Sequence, residues 1–165
     1  MYGQKPHDKM QWALGIARGY GAGQPIILPV VMFNYTSKSG KWGTEILLPS
    51  RAWYRYTINK KSLCRAGFEL EGASYRLLNI NNSLNNMELR RGELRAKLEY
   101  QHKIYKSFWL ALQSGYCFVS NYNLDFVGAD KNDISMGVFG KNKYTMINDL
   151  SNFMFINLSI NFVSL

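Results

Sequence analysis

A chain of 165 residues has room for one domain, and at that length a soluble protein buries a full core without staples, so composition has to discriminate. No window holds 18 or more apolar residues, which excludes a transmembrane helix, and a mean hydropathy of −0.23 is what strands with one polar face produce. The net charge of +9 would suit nucleic acid, but the basic residues form no helical stripe or recognised module, and that partner is set aside.

In chain order, residues 1–9 read as a polar N-terminal tail. The opening MYGQKPHDKM holds no apolar export segment, so an exported protein is expected here as a mature or shortened chain. Trp12, Leu14 and Ile16 then alternate with Ala13, Gly15 and Ala17, which predicts a strand. Gly19-Tyr20-Gly21-Ala22-Gly23 lacks the strand-then-helix context of a phosphate loop and reads as a connection. Ile26 to Tyr35 is apolar on both faces, and Trp42 to Leu48 follows. In the next segment Arg51, Trp53, Arg55 and Thr57 oppose Ala52, Tyr54, Tyr56 and Ile58.

The alternation strengthens downstream. Arg65, Gly67, Glu69 and Glu71 oppose Cys64, Ala66, Phe68 and Leu70, while Arg91, Glu93, Arg95, Lys97 and Glu99 oppose Gly92, Leu94, Ala96, Leu98 and Tyr100. A helix through residues 88–102 would mix charge and apolar residues all round, so period two decides for strand. Phe108 to Phe118 and Met154 to Phe162 repeat the pattern, which makes eight strand candidates. The connections at Ser37–Gly40, Asn59–Lys61 and Lys103–Lys106 are short and lie on one side. The longest stretch, 120–150, is expected outside the cell. The tight corner at Pro49-Ser50 is permitted by this scheme but not required by it.

The aromatic share of 15 % and the 14 glycines suit the girdles and close approaches of a barrel wall. Ionisable residues keep to one parity: Arg51, Arg55, Arg65, Glu69, Glu71, Arg91, Glu93, Arg95, Lys97 and Glu99 form an expected lumen network. Glu69 and Glu71 sit among arginines that keep both ionised, so acid–base work by that pair is disfavoured. His102 and Ser114 share the outward parity. If residue 102 pairs with 107, they lie about seven residues apart and form no dyad. Cys64 and Cys117 fall on opposite faces, and no Cys/His cluster calls for a metal. Asp125, Asp130 and Asp133 in the long loop could hold a cation weakly.

Three elements in order, Glu45-Ile46-Leu47-Leu48-Pro49-Ser50-Arg51, Glu69-Leu70-Glu71-Gly72-Ala73-Ser74-Tyr75-Arg76-Leu77 and Leu89-Arg90-Arg91-Gly92-Glu93-Leu94-Arg95, carry a resemblance. The chain, over roughly residues 11–165, resembles an uncharacterised outer-membrane β-barrel family, a domain of unknown function with LPSR-like and EGxSYRL-like strand elements. The resemblance implies an outer-membrane barrel and brings no activity, substrate or catalytic residue. It also implies a longer protein, with a signal peptide and further N-terminal strands. Leu158-Ser159-Ile160-Asn161-Phe162 is similar to the terminal strand signal that barrel-assembly machinery reads.

The expectation is therefore a single domain over 1–165, an antiparallel up-and-down transmembrane β-barrel of about eight strands, or the C-terminal part of a larger one. It would be a structural or transport-like protein of a Gram-negative outer membrane, with no cofactor and no enzymatic activity. Its partners would be outer-membrane lipids, the assembly machinery and an external ligand at the 120–150 loop. A small-solute, porin-like pore with more strands upstream and a soluble lipocalin-like binding barrel are the alternatives.

Overall fold

The structure, a computed structural model, describes residues 1–21, 24–77, 87–126, 146–147 and 150–163. Among the described residues all of the regular structure is strand: β1 (Tyr2–His7), β2 (Met10–Gly21), β3 (Gln24–Thr36), β4 (Trp42–Leu48), β5 (Arg51–Asn59), β6 (Ser62–Leu77), β7 (Met87–Tyr105), β8 (Phe108–Phe126), β9 (Met146–Ile147) and β10 (Phe153–Phe162). They build one antiparallel up-and-down sheet in the order β1-β2-β3-β4-β5-β6-β7-β8-β10, with β9 also paired to β8. Each of the eight strand candidates is a strand, because period-two alternation is the pattern that a pleated sheet with two unlike faces requires.

Three expectations need correction. The polar tail contains β1, which pairs Tyr2 with Leu14 and Gln4 with Trp12. Lys5 and Pro6 make it read as a tail, yet both are residues that suit the edge of a sheet. The glycine-rich connection is shorter than expected, since β2 runs on to Gly21. The long loop is likewise trimmed: β8 reaches Phe126, and β9 pairs with it through Leu124–Met146 and Asn123–Ile147. The rest of that loop, 127–145 with Asp130 and Asp133, lies outside the described residues.

β9 and β10 keep one register against β8, since Phe153–Cys117 continues the step set by Ile147–Asn123. Between them the Asn152 carboxamide oxygen accepts the Val119 N–H at 2.9 Å, bridging the gap in the ladder.

The sheet curls strongly. β2 and β6 approach within 8 Å between Cα atoms, although four strand steps of ~4.8 Å would part them by about 19 Å in a flat sheet. It does not close: β1 and β10 are the two ends of the path and do not pair among the described residues. With nine strands on the path, β1 and β10 run in the same direction. Joining them would make a parallel seam in an otherwise antiparallel wall. The expected eight strands are therefore replaced by nine on the path, with Met1 at one end of the sheet and Val163 at the other.

One end carries only tight connections, at 8–9, 37–41, 60–61 and 106–107, and the last strand finishes there, Val163 N–H donating to Ser107 O at 2.8 Å. Gly40 takes a left-handed φ of 71° in the second of these turns, a conformation glycine adopts without steric cost. At the opposite end β6 finishes at Leu77 and β8 at Phe126, on the side of the tight Pro49-Ser50 corner, where the Leu48–Pro49 peptide is cis.

Candidate functional site

The two faces of the sheet differ in an unusual sense. On one face Ile16, Met154 and Ile156 are 76 %, 79 % and 79 % exposed, and Leu98, Leu158, Ile160 and Phe162 are exposed beside them. On the other face Glu93 is 4 % exposed and Cys117 is fully buried, together with Ala13, Trp53 and Ala111. The charged face is thus the concave, crowded one and the apolar face is the open one. A soluble domain arranges these the other way.

Register brings the ten expected network residues to that concave face. Arg51 lies opposite Glu69, which lies opposite Arg95. Arg55 lies opposite Arg65, which lies opposite Glu99. Glu71 faces Glu93. Like charges opposed in this way repel unless a counter-ion bridges them, and Arg95 does so here. Its guanidinium meets Glu71 at 3.0 Å and Glu93 at 2.8 Å. Arg91 Nε donates to Glu93 at 2.5 Å, so Glu93 sits between two guanidinium groups. Lys97 continues the chain to Glu69 at 2.5 Å and Glu71 at 3.8 Å. Arg65 pairs with Glu99 at 3.6 Å, and Glu99 also accepts from Gln101 and from Gln113, the latter at 3.0 Å.

Arg51 and Arg55 share the face without entering this chain of ion pairs. Arg55 Nε is one of two buried side-chain polar atoms without a partner among the described residues, Thr44 Oγ1 being the other. Arg55 borders a polar cavity of about 270 Å³ at the tight-turn end, lined also by Lys5, Gln11, Asn34 and Glu45.

Aromatic residues that carried no sequence-level role complete the site. Trp53 lies against Gly67, donates its indole N–H to Glu69 at 3.0 Å and carries the Arg65 guanidinium 4.6 Å above its ring. A Cβ at Gly67 would come within 2.8 Å of the Trp53 ring, so this packing requires glycine. Phe155 lies against Gly115 in the same way, 2.6 Å from where a Cβ would stand. The signal was present as strand glycines directly opposite aromatics, but pairing it needed the register.

The outward pair His102 and Ser114 does not meet. His102 pairs with Leu110 and Ser114 with Leu98, four positions from His102 (98 to 102) or about 13 Å at ~3.3 Å per residue. The expected separation of seven was too large because the turn is tighter, Tyr105 pairing directly with Phe108. His102 Nδ1 instead lies 2.9 Å from Ser62 Oγ, to which the Tyr100 hydroxyl donates at 3.3 Å. Cys64 is half-buried on the outward face and Cys117 is buried on the inward one, and both are free thiols. Among the described residues no three His, Cys, Asp or Glu side chains gather as a metal set would.

Over residues 3–159 the sequence matches the family described as Domain of unknown function (DUF6268). The chain belongs to that family. No curated protein and no solved structure matches it. For this DUF6268 domain the site must therefore be read from its own chemistry: an aromatic-capped face on which Glu69, Glu71, Glu93 and Glu99 are salt-linked to Arg65, Arg91, Arg95 and Lys97, with Arg51 and Arg55 outside those pairs.

Proposed function

We propose that this chain is the wall of an outer-membrane β-barrel with a structural or transport-like role, its charged concave face turned to the lumen. The observation that carries this reading is the inverted polarity of the sheet. Apolar residues face outward from Leu94 to Ile104 on β7, from Phe108 to Phe118 on β8 and from Met154 to Phe162 on β10. These runs match the ~9–11 residues with which a tilted strand crosses a bilayer.

Above the band the polarity reverses, as a strand leaving the membrane for water would need. Beyond Gly92 the inward positions become Met87, Leu89, Leu77, Tyr122 and Leu124, with Met87 buried. The alternate backbone positions in the sequence are Glu88, Arg90, Ser74, Arg76, Asn121 and Asn123. A one-residue bulge at Ser120 sets this change: Glu93 pairs with Val119 but Gly92 with Asn121, and Ser120 Oγ donates to Gly92 O at 3.0 Å. A soluble lipocalin-like barrel would need the opposite arrangement below the bulge.

An open sheet edge is not tolerated in hydrocarbon. Nine strands leave β1 and β10 parallel, so an all-antiparallel closure takes an odd number of further strands. A barrel so widened favours the pore as a second reading. Expression behind an export signal in a Gram-negative host tests the proposal. The chain should fractionate with outer membranes, resist carbonate extraction and require detergent for solubility. A protein soluble without detergent refutes it. Stepwise ion conductance in a planar bilayer separates the pore from a filled barrel.

A further inference from the structure

The tight-turn end has a chemistry of its own. Each of its four connections carries exposed lysine: Lys9, Lys38 and Lys41, Lys60 and Lys61, and Lys106. Among the described residues the one carboxylate in these turns is Asp8, and Lys5 already binds it at 2.8 Å. That hydrogen bond and the nearby ammonium charge hold the Asp8 carboxyl below its ordinary value. The Lys9 ammonium donates to Lys38 O at 2.8 Å, which ties the first two turns together.

Just above this rim the outward face carries an aromatic belt. Tyr35 and Trp42 rings lie 5.1 Å apart, Trp42 and Tyr54 6.2 Å, and Phe108 and Phe162 5.3 Å. Tyr105 follows at the last turn, with the Lys106 ammonium 5.3 Å from its ring. Amphipathic rings at headgroup level with lysines reaching past them mark a membrane–water boundary.

We propose that the lysine rim binds the phosphates of anionic phospholipids in the leaflet on the tight-turn side. This rests on the barrel reading and specifies its lipid. The distribution of the charge decides between a bilayer and an acidic protein. The lysines are spread over four successive turns along the whole rim, as a plane of phosphates requires, whereas an acidic protein would need them gathered in one patch. The aromatic belt at the same level is continuous with the apolar face, which again fits a bilayer.

The test is native mass spectrometry of the full chain, solubilised in non-ionic detergent with equal amounts of phosphatidylglycerol and phosphatidylcholine. The wild type should retain phosphatidylglycerol on the order of tenfold over phosphatidylcholine, as several lysines at an anionic surface allow, and high salt should remove the preference. Replacing Lys9, Lys38, Lys41, Lys60, Lys61 and Lys106 with Gln should abolish it, and replacing the same six with Arg should keep it. Equal retention of both lipids by the wild type overturns the inference and leaves the barrel standing. So does a preference that survives in the Gln variant, or polyglutamate bound where phosphatidylglycerol is not. A chain that stays soluble without detergent and retains neither lipid overturns the barrel reading itself.

Discussion

Glu93 is the position where the charged face can be tested most sharply. Its side chain is 3 % exposed and accepts from Arg91 Nε at 2.5 Å and from Arg95 Nε and Nη2 at 3.0 and 2.8 Å. Charge-assisted bonds of this kind contribute about 1.5–3 kcal/mol each, but truncation does not lose their sum. Arg95 keeps Glu71 at 3.0 Å, and the Arg91 side chain, 36 % exposed, regains water. Glu93→Ala should therefore cost about 3 kcal/mol, the lower part of the range for breaking a buried pair. Glu93→Gln, which keeps shape and one acceptor oxygen, should cost about 1–2 kcal/mol.

The measurement is chemical unfolding in detergent micelles followed by tryptophan fluorescence, Trp53 lying on the same face. Midpoints are compared at constant slope. Glu45→Ala, at an exposed carboxylate on β4, is the control and should stay within about 0.5 kcal/mol. Combining Arg95→Met with Glu93→Ala should cost less than the two single changes summed, because both remove the same Arg95–Glu93 bonds. If Glu93→Ala costs under about 1 kcal/mol, or no more than the control, the face is not a mutually dependent ion network and the reasoning fails.

Gly67→Leu should expel Trp53 from its seat, cost about 1–3 kcal/mol as overpacking does, and shift the tryptophan emission to the red; an unchanged spectrum would contradict the packing described. On the outward face, Ile156→Arg should lower stability in lipid by about 2–4 kcal/mol, measured by unfolding from vesicles. Asn157→Arg, one residue away and inward, should cost clearly less, and equal costs would argue against a lipid-facing β10. Thiol labelling of the folded protein should leave Cys117 unmodified, while a small apolar maleimide delivered from the micelle should reach Cys64 more readily; prompt labelling of Cys117 would place it elsewhere.

The strands were legible because alternation is a local property. Leu94, Ala96 and Leu98 against Glu93, Arg95 and Lys97 declare two faces whatever surrounds them. The ten charged residues could be assigned to one face for the same reason. Their pairing could not, since whether Arg95 serves Glu71, Glu93 or both depends on register and reach across β6 and β7. β1 was missed because Lys5 and Pro6, which protect an edge, are also what a tail looks like. The bulge left only an indirect trace. Even positions of β8 are apolar from Phe108 to Phe126 apart from Ser114 and Ser120, whereas on β7 the apolar positions change from even at Leu94 to odd at Leu89 and Met87. Two neighbouring strands can share a core across that change only if one of them gains a residue.

That extra residue acts as a ruler. Were Ser120 paired in the ladder rather than bulged from it, the even positions of β8 would keep their outward direction through Tyr122 and Leu124 to Phe126 (118 to 126), adding eight residues, about 26 Å along the strand at ~3.3 Å per residue, to the apolar side. A wall made so tall on one flank would have to tilt or locally thicken the bilayer around it, at a fraction of a kcal/mol for each ångström of mismatch. On the barrel reading proposed above, the height of the apolar band is thus set by the bulge at a single serine, and a regular strand there would suit a thicker bilayer.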